Sequence, residues 1–331
     1  MQVNHASLHI FDFTAGLAVY SEHELKIGDQ PIQDYLVSHV SKAFKDPACR
    51  TGSLNPGGMV AKWIQAYKEG TLSFIELSKH MGERTFDYMK QATEGCIIDT
   101  IVCEAVTDRS YLCLLQCQAH DAYTHQLFSE DDGSLATELV PHKAVLPTAT
   151  QKLRAYLAID MEDYSIKLFE PKGQYDGEVT YILADRVLQI GTQQSTRDTI
   201  RKVQKIVDKV AEAHESDGVE ALAKTKSFIA KNAEVSDTLD PIRIVEEVFT
   251  NSIQVEAAKK ELEEEHMLAP LPVNRDFATK VGQMHKIKTD TGIEISFPVE
   301  YMKKRDFIEI VTNDDGSLRI EVKNINKIIN K

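Results

Sequence analysis

Nothing in this 331-residue chain approaches the roughly 18 uninterrupted apolar residues that a membrane-spanning helix requires. The opening stretch MQVNHASLHIFDF has no basic segment leading into an apolar one, so no secretory leader is expected and the chain reads as cytoplasmic. Cysteine is scarce. The five residues Cys49, Cys96, Cys103, Cys113 and Cys117 are an odd set without a CxxC pair, which fits reduced thiols rather than a disulfide framework. If YLCLLQCQA is a strand, Cys113 and Cys117 share a face, yet at that spacing they sit about 13 Å apart and cannot share a zinc ion. Positive charge is also short: 38 Lys and Arg against 51 Asp and Glu leave a net charge of -13. That balance excludes a generally basic protein that coats DNA, because phosphate affinity comes from neutralisation by Lys and Arg. Any nucleic-acid contact must then be local, or made through a protein partner. The chain lacks a P-loop, an HExxH pair, a GxSxG elbow and a Rossmann GxGxxG, and it shows no repeat of fixed period and no low-complexity tract.

What is present reads as a folded α+β protein: a mainly antiparallel sheet with packed helices, a helical middle region and a small C-terminal β unit. Residues 2–20 predict a strand, a Gly-containing turn and a second strand. In DQPIQDYLVSHVSKAFKD, Asp29 can cap, Pro31 suits a first turn, and Ile32, Tyr35, Leu36, Val40, Ala43 and Phe44 recur at helical spacing. TGSLNPGG (51–58) reads as a loop, followed by helices at 59–69 and 72–92. From 96 to 190, short apolar runs alternate with turn residues, and the connections are too short for the helical crossovers of a parallel sheet. Leu153, Ala155, Leu157 and Ile159 alternate as one face of a half-buried strand should. Residues 195–268 predict helices only, the third of them opening at Asp240 and Pro241, carrying Ile242, Val245, Phe249 and Ile253, and ending in KKELEEEH. APLPVN (269–274) reads as a short stiff connection into a compact β unit. The expected division is therefore 1–190, 195–268 and 270–331.

The segment DDGSL occurs twice, at 131–135 and 314–318. Aligning either Gly with the invariant position of a calcium loop puts apolar residues where ligands belong, so both read as hairpin turns. In DDGSLRIEVK, Asp315, Glu321 and Lys323 mimic a metal-dependent nuclease core, although the alternation of Leu318, Ile320 and Val322 with Arg319, Glu321 and Lys323 predicts an ordinary charged hairpin face equally well. His5 and His9 lie about 13 Å apart on a strand and cannot share a metal. His120, His125 and His142 read as exposed loop histidines. One basic feature survives: in STRDTIRKVQKIVDKV, Arg197, Arg201, Lys205 and Lys209 recur every four residues, with Lys202 beside them and Lys224 and Lys226 extending the region. Such a row can track phosphates. The plainer reading is a solvated helix face with Asp198 and Asp208 as partners, and the acidic run Glu261, Glu263, Glu264 and Glu265 is a further partner for it.

The tail ISFPVEYMKKRDFIEIVTNDDGSLRIEVKNINKI (295–328) resembles the C-terminal signature of the bacterial 37-kDa nucleoid-associated protein family: a Phe-Pro step, a strand, an Asn-Asp-Asp-Gly turn, and an Ile-rich strand ending in Lys-Asn-Ile. The opening ASLHIFD, the helix QDYLVSHVSKAF and the overall size are similar too. The resemblance implies a cytoplasmic, nucleoid-localised protein that associates with DNA and has no established catalytic centre. It brings no motif of functional residues to carry over. Together with the basic row it leads to an expectation of non-enzymatic, sequence-tolerant association with double-stranded DNA in chromosome organisation. No cofactor or metal is expected, and partners would be DNA and nucleoid proteins, with no membrane. A homodimer would concentrate the basic rows. The alternatives are a protein-interaction adaptor at the nucleoid that does not touch DNA, and the nuclease.

Overall fold

The structure, a computed structural model, describes residues 1–93, 95–303, 306–313 and 318–327. The chain divides into two compact units, Met1–Gln193 and Gln194–Lys331. The second therefore holds both the helices of 195–268 and the segments that follow residue 270.

In the first unit the elements run β1 (Gln2–Asp12), β2 (Leu17–Val19), α1 (Gln30–Lys45), β3 (Arg50–Ser53), α2 (Met59–Lys68), α3 (Phe74–Met89), β4 (Ile97–Val106), β5 (Ser110–Gln118), β6 (His120–Ser129), β7 (Leu135–Val145), β8 (Ala155–Asp160), β9 (Ser165–Phe169), β10 (Gly173–Tyr175) and β11 (Glu178–Thr180). Seven of these strands form one sheet in the order β2-β1-β4-β5-β8-β9-β3, and every neighbouring pair is antiparallel. The strands expected from the apolar runs are present except in EVTYILADRVLQI, where only Glu178–Thr180 is strand and Ile182–Leu188 is a π-helical segment. The face assignment differs: every residue of β8 is buried, not only alternate ones. Ala155, Leu157 and Ile159 join one core with residues of α2, α3 and the π-helical segment, while Tyr156 and Ala158 join a second core with Leu36, Val40 and Ala43 of α1. A central strand covered on both faces is apolar or small along most of its length; Ala155 and Ala158 are the small residues, and the buried Asp160 at its end pairs with Arg109.

TGSLNPGG is likewise only partly a loop. Arg50–Ser53 is an edge strand that pairs with β9, Thr51 opposite Lys167, because an edge needs only one partner and tolerates a short polar sequence. α3 starts at a capping box in which the Ser73 side chain accepts from the Glu76 amide and the Glu76 carboxylate accepts from that of Ser73. Cys103, Cys113 and Cys117 line one core, and all five cysteines are free thiols. β6 and β7 form a separate hairpin whose turn contains the first DDGSL, with Gly133 at φ +81° and Asp132 accepting from the Ser134 amide. His125 and His142 are exposed on these strands rather than in loops.

The second unit runs α4 (Thr196–Ala213), α5 (Gly218–Val235), β12 (Thr238–Leu239), α6 (Pro241–Val248), α7 (Ser252–Glu264), β13 (Leu271–Pro272), α8 (Arg275–Gln283), β14 (Met284–Lys288), β15 (Glu294–Pro298), a 3-10 turn (Val299–Lys303), β16 (Ile308–Thr312) and β17 (Leu318–Val322). Its core is built from the stripes of α4 to α7 together with Val273 and Ala278. The single third helix expected from Asp240 onward is two helices. Phe249 is extended, and the Asn251 side chain accepts from the Ile253 amide to start α7, so a cap interrupts the helical period. α8 was not expected at all. Its signal is Asn274, which accepts from the Phe277 amide, and its Gly282 packs so tightly on α5 that an added Cβ would fall 2.1 Å from that of Ala230. The second DDGSL turn, residues 314–317, lies outside the described residues, while its flanks β16 and β17 pair with Thr312 opposite Leu318.

Candidate nucleic-acid interface

α4 forms where the sequence places it. The Ser195 side chain accepts from the Asp198 amide, and Ile200, Val203, Ile206, Val207 and Val210 are buried. The four-residue spacing leaves Arg197, Arg201, Lys205 and Lys209 on the exposed side. Their state depends on α7, which packs beside α4 and carries the acidic run. Lys209 Nζ lies 2.7 Å from both Glu261 carboxylate oxygens, and Lys202 Nζ lies 2.6 Å from Glu265. The hydrogen bond to Glu261 raises the Lys209 pKa, and the one from Lys202 lowers that of Glu265. Asp198, expected to pair with the row, instead accepts from the Ser195 hydroxyl.

The other members of the predicted set are also engaged. Lys224 pairs with Glu220 at 2.9 Å. Lys226 is half-buried and donates to His285 Nδ1 at 3.2 Å, and desolvation lowers its pKa. The Arg197 guanidinium stands 5.8 Å over the Phe277 ring. Arg201 and Lys205 are exposed and make no ion pair among the described residues. The structure thus collects Arg197, Arg201, Lys202, Lys205 and Lys209 on one helix but offsets two of the five charges, Lys202 and Lys209, with carboxylates of α7, and it directs Lys226 inward.

Of the three residues that mimic a nuclease core, Glu321 on β17 and Lys323 just beyond it come together. Lys323 is ion-paired with Glu309 and lies 3.5 Å from Glu321, which also meets Arg319 at 3.1 Å. Asp315 lies outside the described residues.

More cations surround the sheet edge of the first unit, where sequence reasoning did not find them, with Lys167 on the α1 side of the sheet and Arg50, paired with Leu168, on the opposite side. β9 and β3 end the sheet, and α1 covers one side of them. Lys42 and Lys45 come from the last turns of α1, Arg50 from β3, Lys167 from β9, and Lys152, Arg154 and Lys172 from the flanking segments. None of these seven makes an ion pair among the described residues. Several rest on aromatic rings instead: Arg50 is 3.6 Å and Lys172 5.3 Å from the Tyr181 centroid, Lys152 is 3.8 Å from that of Phe169, and Lys167 is 5.7 Å from that of Phe44. A cation over a ring keeps its charge and outward hydrogen-bonding capacity, whereas one against a carboxylate is neutralised. The acids among them are committed elsewhere. Asp46 accepts from the Tyr156 hydroxyl, and Glu170 is buried with its two oxygens accepting from the Leu183 and Ala184 amides at 2.7 and 2.8 Å. Burial pushes the Glu170 pKa up to about 7, which halves its charge near neutrality. Lys42 and Lys152 also flank a groove of about 170 Å³ with Thr150 and Gln151. The sequence signal was weak, since the seven are spread from 42 to 172 with no common spacing.

Residues 7–330 match the family model described as nucleoid-associated protein YejK, and the chain belongs to that family. No curated protein matches it.

Proposed function

We propose that this nucleoid-associated protein holds double-stranded DNA directly, through phosphates and without sequence preference, and that it has no catalytic role. Its place is then the nucleoid in the cytoplasm, in chromosome organisation. The observation that carries the reading is the set of seven cations around β9, β3 and the end of α1, which make no ion pair among the described residues of a chain of net charge -13. Unpaired Lys and Arg release counterions on meeting DNA, whereas Lys209 and Lys202 would first have to give up Glu261 and Glu265. Arg197, Arg201 and Lys205 on α4 form a second, weaker surface. A homodimer would offer two copies of each to one duplex.

A salt titration of the purified chain with duplex DNA, with and without Mg²⁺, tests this. The expected result is binding that weakens steeply with salt, is unchanged by Mg²⁺ and leaves the DNA uncut. No binding at moderate salt would favour an adaptor that reaches the nucleoid through another protein, and Mg²⁺-dependent cleavage would restore the nuclease.

A further inference from the structure

The β6–β7 hairpin is the largest piece of secondary structure with no cover of its own. It pairs with no third strand among the described residues, and eight of the ten residues of β6 are exposed. A lone two-stranded hairpin is marginal in water, so nine paired positions from Ser129–Leu135 back to His120–Val145 need a second surface to hold them. The register separates its faces. Tyr123, His125, Leu127 and Ser129 stand opposite Pro141, Leu139, Thr137 and Leu135, which places all eight on one side. On that side Tyr123 is 70%, Leu127 60%, Leu135 76% and Leu139 67% exposed. No Asp, Glu, Lys or Arg falls among these eight, and Asp121 continues the same side at the far end of β6.

We propose that this face is a dimerisation surface, packing on the same face of a second copy about a twofold axis. Four large side chains at such exposure present on the order of 500 Å², more than a monomer ordinarily leaves in one patch. Two copies together bury about 1,000 Å², the area at which a specific interface begins. Charge argues for a second copy over other occupants. A chain of net charge -13 repels itself, and a stretch of eight residues free of fixed charge is where two copies approach with the acidic groups kept apart and screened. The hairpin tip carries Glu130, Asp131 and Asp132, which disfavours both DNA and an anionic lipid surface. An isologous contact needs only this one self-complementary patch.

The test is the mass of the full chain by light scattering across micromolar concentrations. The chain should run at twice its 37.2 kDa, and L127K with L139K should run as a folded monomer with unchanged helical content by circular dichroism, since both side chains are exposed. Gln126→Lys, on the opposite face, should leave the dimer intact. Under mild oxidation Leu127→Cys should form a covalent dimer several-fold more than the parent chain or Gln126→Cys. A parent chain that is monomeric throughout, a folded L127K/L139K dimer, or equal cross-linking from both cysteine variants would each overturn the proposal.

Discussion

Lys209 on α4 reaches across to Glu261 on α7 and meets both carboxylate oxygens at 2.7 Å. The basic row and the acidic run are thus partners within one unit, and α7 holds down part of the charge that α4 displays. The lysine is exposed, so solvent screens the pair and it contributes little to stability. Its effect is on electrostatics. Replacing Glu261 and Glu265 with Gln should leave unfolding by urea nearly unchanged while raising DNA affinity several-fold at low salt. Unchanged affinity in filter binding would remove α4 from the interface.

The cationic edge of the first unit should dominate. With Lys152, Lys167 and Lys172 changed to Glu, the slope of log affinity against log salt should become shallower by about 2–3, since each lost phosphate contact removes about 0.9. The same reversal at Arg201 and Lys205 should have the smaller effect. The reverse order would relocate the binding surface to α4.

Acid should weaken both units through buried histidines. His9, with Nε2 bonded to the Ser78 carbonyl, and His285 are each held down to about 4 by desolvation. A folded pKa below the unfolded value of about 6.5 means that the stabilising contribution is present above pH 6.5 and is lost as pH falls through 4. For His9 this amounts to as much as about 3 kcal/mol. His9→Gln should flatten that limb in urea titrations between pH 6.5 and 4; an undiminished slope would show that His9 does not titrate there.

Glu170 carries the opposite sign. Its pKa is raised to about 7, so stability is full below the unfolded value near 4.5 and declines as pH rises through 7. Glu170→Gln removes that decline. It also turns an amide donor toward the Leu183 or Ala184 N–H, which should cost about 1–3 kcal/mol at pH 5. A thermal scan at pH 5 and pH 8 reads both effects, and equal melting shifts at the two pH values would contradict the assignment.

Gly282→Ala should loosen the second unit. Its Cβ would meet the Lys226 carbonyl at 2.6 Å as well as Ala230, and backbone cannot yield as a side-chain tip can. The expected loss is about 1–3 kcal/mol or more, seen as a lower denaturant midpoint. A neutral result would mean that α8 shifts along α5 at no cost.

Much of the fold was legible in the sequence because it rests on local chemistry. The N-caps of α4 and α6, the proline in the first turn of α1, the short apolar runs of β4 to β9, the placement of the basic row opposite the α4 stripe, and the tail that resembles the family all follow from residues close together in the chain. Local rules failed where a cap sat inside a helical period, at Asn251, and where one residue was the only signal, at Asn274. They also could not say that β8 is covered on both faces, because that depends on α1 arriving from more than a hundred residues away. Tertiary structure alone decided the charge map. Sheet pairing sets Thr51 beside Lys167, and helix packing sets Glu261 beside Lys209. Burial of the intervening apolar faces drives both juxtapositions, and the charged groups follow the scaffold rather than directing it. The sequence therefore displayed the row on α4 as the one basic surface, and the fold partly neutralised it while gathering seven scattered cations at the other unit's sheet edge.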